Sequence, residues 1–347
     1  MTTTLPAYLL SFLIALAGGA LANLLGLPIP WLLGSLLAIG GCSLAGLPIK
    51  NAEIGRKTGL MIIGLSLGLY FSPQMLDLIA QSVYLLIAVA IFSITLGIIG
   101  SIIAYRIGKV SFKTAWFASV VGGASEMSNL AQLHNARVDL VVAAHTLRVF
   151  LLVTTVPFFY QFMGYHGEDS RTLESSQAVN FANLLLLLAL GALAAKYFEY
   201  KKWSNPWTFA PLLVAAILTA NGVHLSAIPP VLSYLGQVCI GWTLGTKFRP
   251  NFFQVAPRLL TATAISVLIH LMLTLLMVWL LTHYSDIDKA ILGLGFAPGG
   301  VAEMTITAKT LQLGVPIVTM LHVVRMIAVV ASAGVLYHWL DKYFIKQ

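Results

Sequence analysis

Residues 122–127 read Gly-Gly-Ala-Ser-Glu-Met, and residues 299–304 read Gly-Gly-Val-Ala-Glu-Met. Each is followed at the same distance by His-x-x-Arg: His145 and Arg148 after the first, His322 and Arg325 after the second. Every residue of the second copy stands 177 positions beyond its counterpart, 299 against 122 and 325 against 148. A carboxylate, an imidazole and a guanidinium are thus placed twice, in register, inside apolar sequence. Ionisable groups are costly in hydrocarbon, so an intramembrane Glu and Arg mark a functional site by default. Their duplication fits the pseudo-symmetric sites that transporters build between internal repeats.

The surrounding chain sets the class. Of its 347 residues, 59% are hydrophobic and 9% charged, against about 25% charged in a soluble domain. Stretches 5–25, 82–105, 181–195 and 259–281 carry no Asp, Glu, Lys or Arg. Roughly 20 such residues cross a bilayer core as helix. The fold class is therefore an all-α polytopic membrane protein, since a membrane barrel needs short alternating strands. The net charge of +8 reads as Lys and Arg held on the cytoplasmic side, and no direct nucleic-acid partner is expected. Cys42 and Cys239 lie in apolar segments and read as buried small hydrophobes. Ala20-Leu21-Ala22 looks like a signal-cleavage site, but no Lys or Arg precedes it. A signal peptide carries a basic n-region, so residues 5–25 read as a first span.

The repeat extends beyond the opening motif. Gly59, Gly64, Gly68, Phe71 and Pro73 match Gly236, Gly241, Gly245, Phe248 and Pro250, and Pro30-Trp31 matches Pro206-Trp207. The expected division is a first membrane repeat at 1–163, an external acidic linker at 164–177 and a second membrane repeat at 178–347. Whether the Gly-Gly-Glu segment crosses the membrane is decided by charge. If it crosses, each half has six spans, and Lys196, Lys201, Lys202, Lys247, Arg249 and Arg258 fall outside, against the positive-inside rule. If it dips in and returns, each half has five spans, and those residues join Lys50, Arg56, Lys57, Arg106, Lys109, Lys113, Arg137, Lys342 and Lys346 inside. Arg171, Lys289 and Lys309 then fall outside. Matched loops agree: 50–57 has three basic residues and its counterpart 221–230 has none, whereas 72–77 has none and its counterpart has Arg249 and Arg258. The expectation is two inverted five-span repeats with re-entrant Gly-Gly-Glu segments and both termini cytoplasmic.

The residues of each motif suggest their chemistry. Gly122, Gly123, Pro298, Gly299 and Gly300 break helix, because Gly costs about 1 kcal/mol and Pro about 3 kcal/mol there. Broken backbone at membrane depth is tolerated only inside protein or beside water. Glu126 and Glu303 fall in the first turn after the break, where they either cap exposed N–H groups or exchange a proton. His145 and Arg148 share a helix face, as do His322 and Arg325. A buried guanidinium calls for a carboxylate, and Glu126 and Glu303 are the available ones. Such pairs either hold the halves together or work on a substrate. Met127 and Met304 read as packing residues. No metal site or cofactor motif is present.

These features resemble the AbrB-type membrane protein family, also called AbrB duplication, over essentially the whole chain. Members carry the labels ammonia monooxygenase and regulator of gene expression. The fold also looks similar to cation/proton antiporter-like carriers with inverted five-span repeats, an analogy that leaves function open. The expected function is a secondary transporter in a bacterial inner membrane, taking a small anionic or zwitterionic solute. Arg148 and Arg325 would clamp a carboxylate, Glu126 or Glu303 would carry the coupling proton, and His145 and His322 would relay it. The expected partners are the lipid bilayer, the solute and protons, with a homo-oligomer left open. The alternatives are a membrane sensor acting indirectly on gene expression and, third, a membrane oxidase.

Overall fold

A computed structural model describes residues 4–51, 53–167 and 179–344. Residues 168–177 of the acidic linker, Arg171 among them, and Lys346 lie outside the described residues. Sixteen helices are described. The first eight are α1 (Thr4–Leu24), α2 (Pro30–Leu44), α3 (Glu53–Gly68), α4 (Pro73–Gln81), α5 (Val83–Arg106), α6 (Phe112–Ser119), α7 (Ala124–Leu133) and α8 (Val138–Phe162). The second eight are α9 (Phe181–Tyr200), α10 (Pro206–Ala220), α11 (Pro230–Gly245), α12 (Phe252–Val255), α13 (Pro257–Leu281), α14 (Lys289–Phe296), α15 (Val301–Thr310) and α16 (Val315–Phe344). The order of long and short helices in the first half recurs in the second.

Among the described residues six helices are long and apolar enough to cross a membrane: α1, α5, α8, α9, α13 and α16. A seventh span is available if α3 and α4, bent by 86° at their junction, act together. The bend has a local cause: α3 stops at Gly68, and Pro73 opens α4 at a position where its missing N–H costs nothing. The chain is therefore an all-α polytopic membrane protein.

The long helices are inside-out relative to soluble ones. On α13, Leu268, Met272 and Trp279 are exposed, while Ser266, His270 and Thr274, spaced four apart, are buried. Large apolar side chains face lipid, and small or polar ones face protein, where close packing and hydrogen bonds replace the hydrophobic drive. Ser266 and Thr274 each donate to the carbonyl four residues back.

By contact the chain forms two compact units, and each draws on both sequence repeats. Unit 1 comprises Met1–Gln81, Pro157–Pro250 and Thr305–Pro316; unit 2 comprises Ser82–Val156, Asn251–Met304 and Ile317–Gln347. In unit 1, α3 packs against its own counterpart α11. A Cβ on Gly59 would meet the Gly236 carbonyl oxygen at 2.7 Å, and one on Gly236 would meet the Gly59 oxygen at 3.2 Å. Equivalent residues thus touch reciprocally, as in an isologous two-fold contact. Beside them Gly64 lies against the carbonyl of Thr208 and Gly241 against that of Leu32, again a matched pair. In unit 2, a core of Trp116, Phe117, Met127, Val141, Ala144 and Val329 joins α6, α7, α8 and α16. A second core of Leu85, Val89, Leu292, Phe296 and Leu321 joins α5, α14 and α16.

Candidate functional site

Both breaks fall where the glycines lie, and both belong to unit 2. α6 ends at Ser119, Val120 turns extended (φ −53°, ψ 133°), and Gly123 is extended again (φ −67°, ψ 141°) before α7. α14 ends at Phe296, Ala297 is extended (φ −59°, ψ 139°), and α15 follows. Each half-helix has 8 or 10 residues, about half of what a span needs.

The glycines are explained by what sits over them. Glu126 and Glu303 are the third helical residues of α7 and α15, and the residue before each helix is Gly123 or Gly300. A glutamate at that third position folds back over the capping residue, as in a capping box. A Cβ on Gly123 would collide with the Glu126 carboxylate, and one on Gly300 with that of Glu303. The first glycines serve the methionines: a Cβ on Gly122 would meet Met127 Cε at 2.9 Å, and Met304 lies as close over Gly299. Both Met127 and Met304 are fully buried. Gly-Gly-x-x-Glu-Met is thus one packing unit in which each glycine leaves room for a later side chain.

His-x-x-Arg closes the other side of the break. The last carbonyls of a helix have no partner within it. His145 Nε2 donates to the Phe117 carbonyl at 2.8 Å, and His322 Nε2 to that of Leu294 at 2.9 Å. Arg148 Nη1 donates to Val120 at 2.9 Å, and its Nη2 donates to Gly122 at 3.0 Å. Arg325 makes the matching bonds to the carbonyls of Ala297 and Gly299. A planar guanidinium spans two acceptors at once, which an ammonium does not. The halves differ at the histidine. His145 Nδ1 accepts from Arg148 Nη2 at 2.9 Å, which fixes the neutral tautomer with its proton on Nε2. His322 Nδ1 is buried without a hydrogen-bond partner.

The expected carboxylate partners of the arginines are replaced by carbonyl oxygens. Among the described residues the ion pairs involve Glu53, Glu199 and Asp139, and neither Arg148 nor Arg325 is in one. The physical reason is the break itself, which strips backbone oxygens of their helical partners within reach of both guanidiniums. Charge interaction persists at longer range: Glu303 acts on both guanidiniums, and the two guanidiniums act on each other. Glu303, Arg148 and Arg325 are all buried, and Glu126 is half-buried. The Nε–H of each arginine is buried and makes no hydrogen bond. Among the described residues no three His, Cys, Asp or Glu side chains are gathered to hold a metal ion.

Two residues escaped the motif-led reading. His270 is buried on α13, within electrostatic reach of Arg148, and a Cβ on Gly100 would lie 3.1 Å from its ring. It is the one titratable side chain of the stretch 259–281, which carries no Asp, Glu, Lys or Arg, and that was its available signal. Lys309, expected outside, sits on α15 and donates from Nζ to Ser66 Oγ at 2.5 Å, with its ammonium 5.7 Å from the Tyr70 ring centre. It lines a cavity of about 410 Å³ within unit 1, together with Ser66, Ser233 and Gln237. Its sequence signal was an ammonium in a buried helix where the first copy has Gln132.

Comparison with known proteins places this geometry. A protein of Bacillus subtilis (strain 168) named "Uncharacterized protein YhjN" is 26% identical over 358 aligned positions, covering 94% of this chain and 91% of that protein. A protein of Escherichia coli (strain K12) named "Putative regulator AbrB" is 22% identical over 325, covering 92% of each. Residues 31–341, which hold both breaks and both His-x-x-Arg pairs, match the family described as "Transition state regulatory protein AbrB". The chain belongs to that family.

Proposed function

We propose that this protein is a secondary transporter of a small anionic or zwitterionic solute, coupled to protons through Glu126 or Glu303. One observation carries the reading: in unit 2, two buried guanidiniums, each anchored on a broken helix, retain an Nε–H with no hydrogen-bond partner. A buried donor left unsatisfied costs about 1–3 kcal/mol, a cost that an anion accepting from it would remove. Guanidinium and carboxylate are matched for such bonds. Glu303, within electrostatic reach of both, supplies a charge that protonation would cancel as the anion arrives. The proposed topology is two inverted five-span repeats with re-entrant breaks, both termini cytoplasmic, in a bacterial inner membrane. The mechanism is alternating access at a broken-helix site.

The test is uptake of radiolabelled small carboxylates and amino acids into proteoliposomes under an imposed pH gradient. Gradient-dependent uptake that becomes gradient-independent in Glu303→Gln or Glu126→Gln is the expected result. Uptake indifferent to the gradient and to both substitutions overturns the coupling.

A second reading follows from the relative named as a regulator and the regulatory description of the family. A membrane sensor would bind a solute and signal through a cytoplasmic partner without net flux. Saturable solute binding with no uptake in proteoliposomes would favour it.

A further inference from the structure

The cavity in unit 1 takes Ile306, Lys309 and Thr310 from the later turns of α15, but neither break nor either His-x-x-Arg cap lines it, and no role has yet been given to it. Its charge and shape are specific. Lys309 is the cation of its lining, which contains no Asp or Glu. The bond to Ser66, itself fully buried on α3, holds the ammonium in place. Ser233 and Gln237 stand four apart on α11 and so share one face. They are 5% and 6% exposed and line the cavity. A hydroxyl and a primary amide that face a cavity are placed to bond the polar group of a bound molecule.

Two further features agree. α2 and α11, of 15 and 16 residues, begin at Pro30 and Pro230, and both prolines line the cavity. Helix N-termini carry partial positive charge. Trp31 of α2 and Tyr234 of α11, which also line it, are stacked with ring centres 5.4 Å apart and planes 18° apart. They form an aromatic wall, and Ile63, Leu67 and Ile306 extend the apolar surface. The volume is of the order that holds a small organic molecule.

We infer that this cavity binds a small organic monoanion. Its carboxylate is held by the Lys309 ammonium, the Gln237 amide and the Ser233 hydroxyl, and its apolar body lies against the Trp31–Tyr234 wall. The inference does not rest on the transport reading, because binding is measured without flux.

The probe is radiolabelled benzoate, measured by equilibrium dialysis against the full-length protein in nanodiscs of zwitterionic lipid. Expected is saturable binding, competed by unlabelled benzoate but not by benzylamine. Lys309→Gln is expected to weaken it at least tenfold, and Gln237→Leu, which keeps the volume but removes the amide, by roughly tenfold, as for a hydrogen bond to a charged group. Circular dichroism and elution volume identify variants that fold, and either folded variant suffices as a test. No saturable binding by the wild type, or binding unchanged in a folded variant, overturns the inference. The same measurement in discs containing phosphatidylglycerol separates two sources of anion. Undiminished binding supports a soluble ligand; binding abolished there overturns it, because an anionic lipid headgroup would then hold the site.

Discussion

At the scale of single residues, the duplicated motif is a device for breaking a helix in apolar surroundings. Its polar side chains satisfy the backbone that the break exposes. Gly300 and Glu303 should therefore be energetically coupled. Gly300→Ala is expected to destabilise the protein by about 1–3 kcal/mol through overpacking, because the new methyl meets the Glu303 carboxylate. In a Glu303→Ala background that penalty should largely vanish. Thermal unfolding of the four proteins in detergent gives the coupling directly, and equal penalties in both backgrounds would sink the account. Arg148→Lys should cost about 2 kcal/mol, since one of its two bonds to the Val120 and Gly122 carbonyls is lost. The break, the glutamate and the histidine–arginine spacing were legible because each is local: turn-breaking glycines and a three-residue helical step. The guanidinium's partners were not, because carbonyl oxygens are no residue type and leave no mark in sequence.

At the scale of elements, glycine has two different meanings here, and space decides between them. On α3, Gly59 faces the backbone of α11 with no room for a methyl, whereas on α2 a Cβ on Gly41 would meet nothing within 4 Å. Gly41→Ala should stabilise the protein by about 0.5–1 kcal/mol through helix propensity. Gly59→Ala should lower stability by about 1–3 kcal/mol, because two backbones would have to part. Unfolding midpoints of the two variants, compared in one detergent, check the opposite signs. The small-residue pattern of 59, 64 and 68 announced close packing. It did not announce that α3 would pack on its own repeat counterpart, nor that α3 and α4 would meet at 86°. Those follow from tertiary partners far away in the chain. Lys309 eluded the reading for the same reason: its hydrogen-bond acceptor Ser66 lies 243 residues away.

At the scale of the whole molecule, the repeat was the most legible feature, since eight helices recur in the same order. The inverted topology we propose makes a direct prediction about matched loops. Single cysteines replacing Lys109, before α6, and Asp286, before α14, should react with a membrane-impermeant maleimide from opposite sides. Lys109→Cys should label only from the cytoplasmic side and Asp286→Cys only from the outside. Labelling of both from one side would refute inversion.

That each compact unit takes helices from both repeats has a consequence for biosynthesis. During translation, α1–α4 emerge long before α9–α11, on which α3 packs. The first half of unit 1 must therefore wait in the membrane, inserted but incomplete, with its glycine faces against lipid. Each half of the gene product is therefore expected to need the other in order to mature. Two fragments divided within 164–177 and made in the same cell should find each other and restore a dye-stable, co-purifying whole, while either fragment made alone should be degraded.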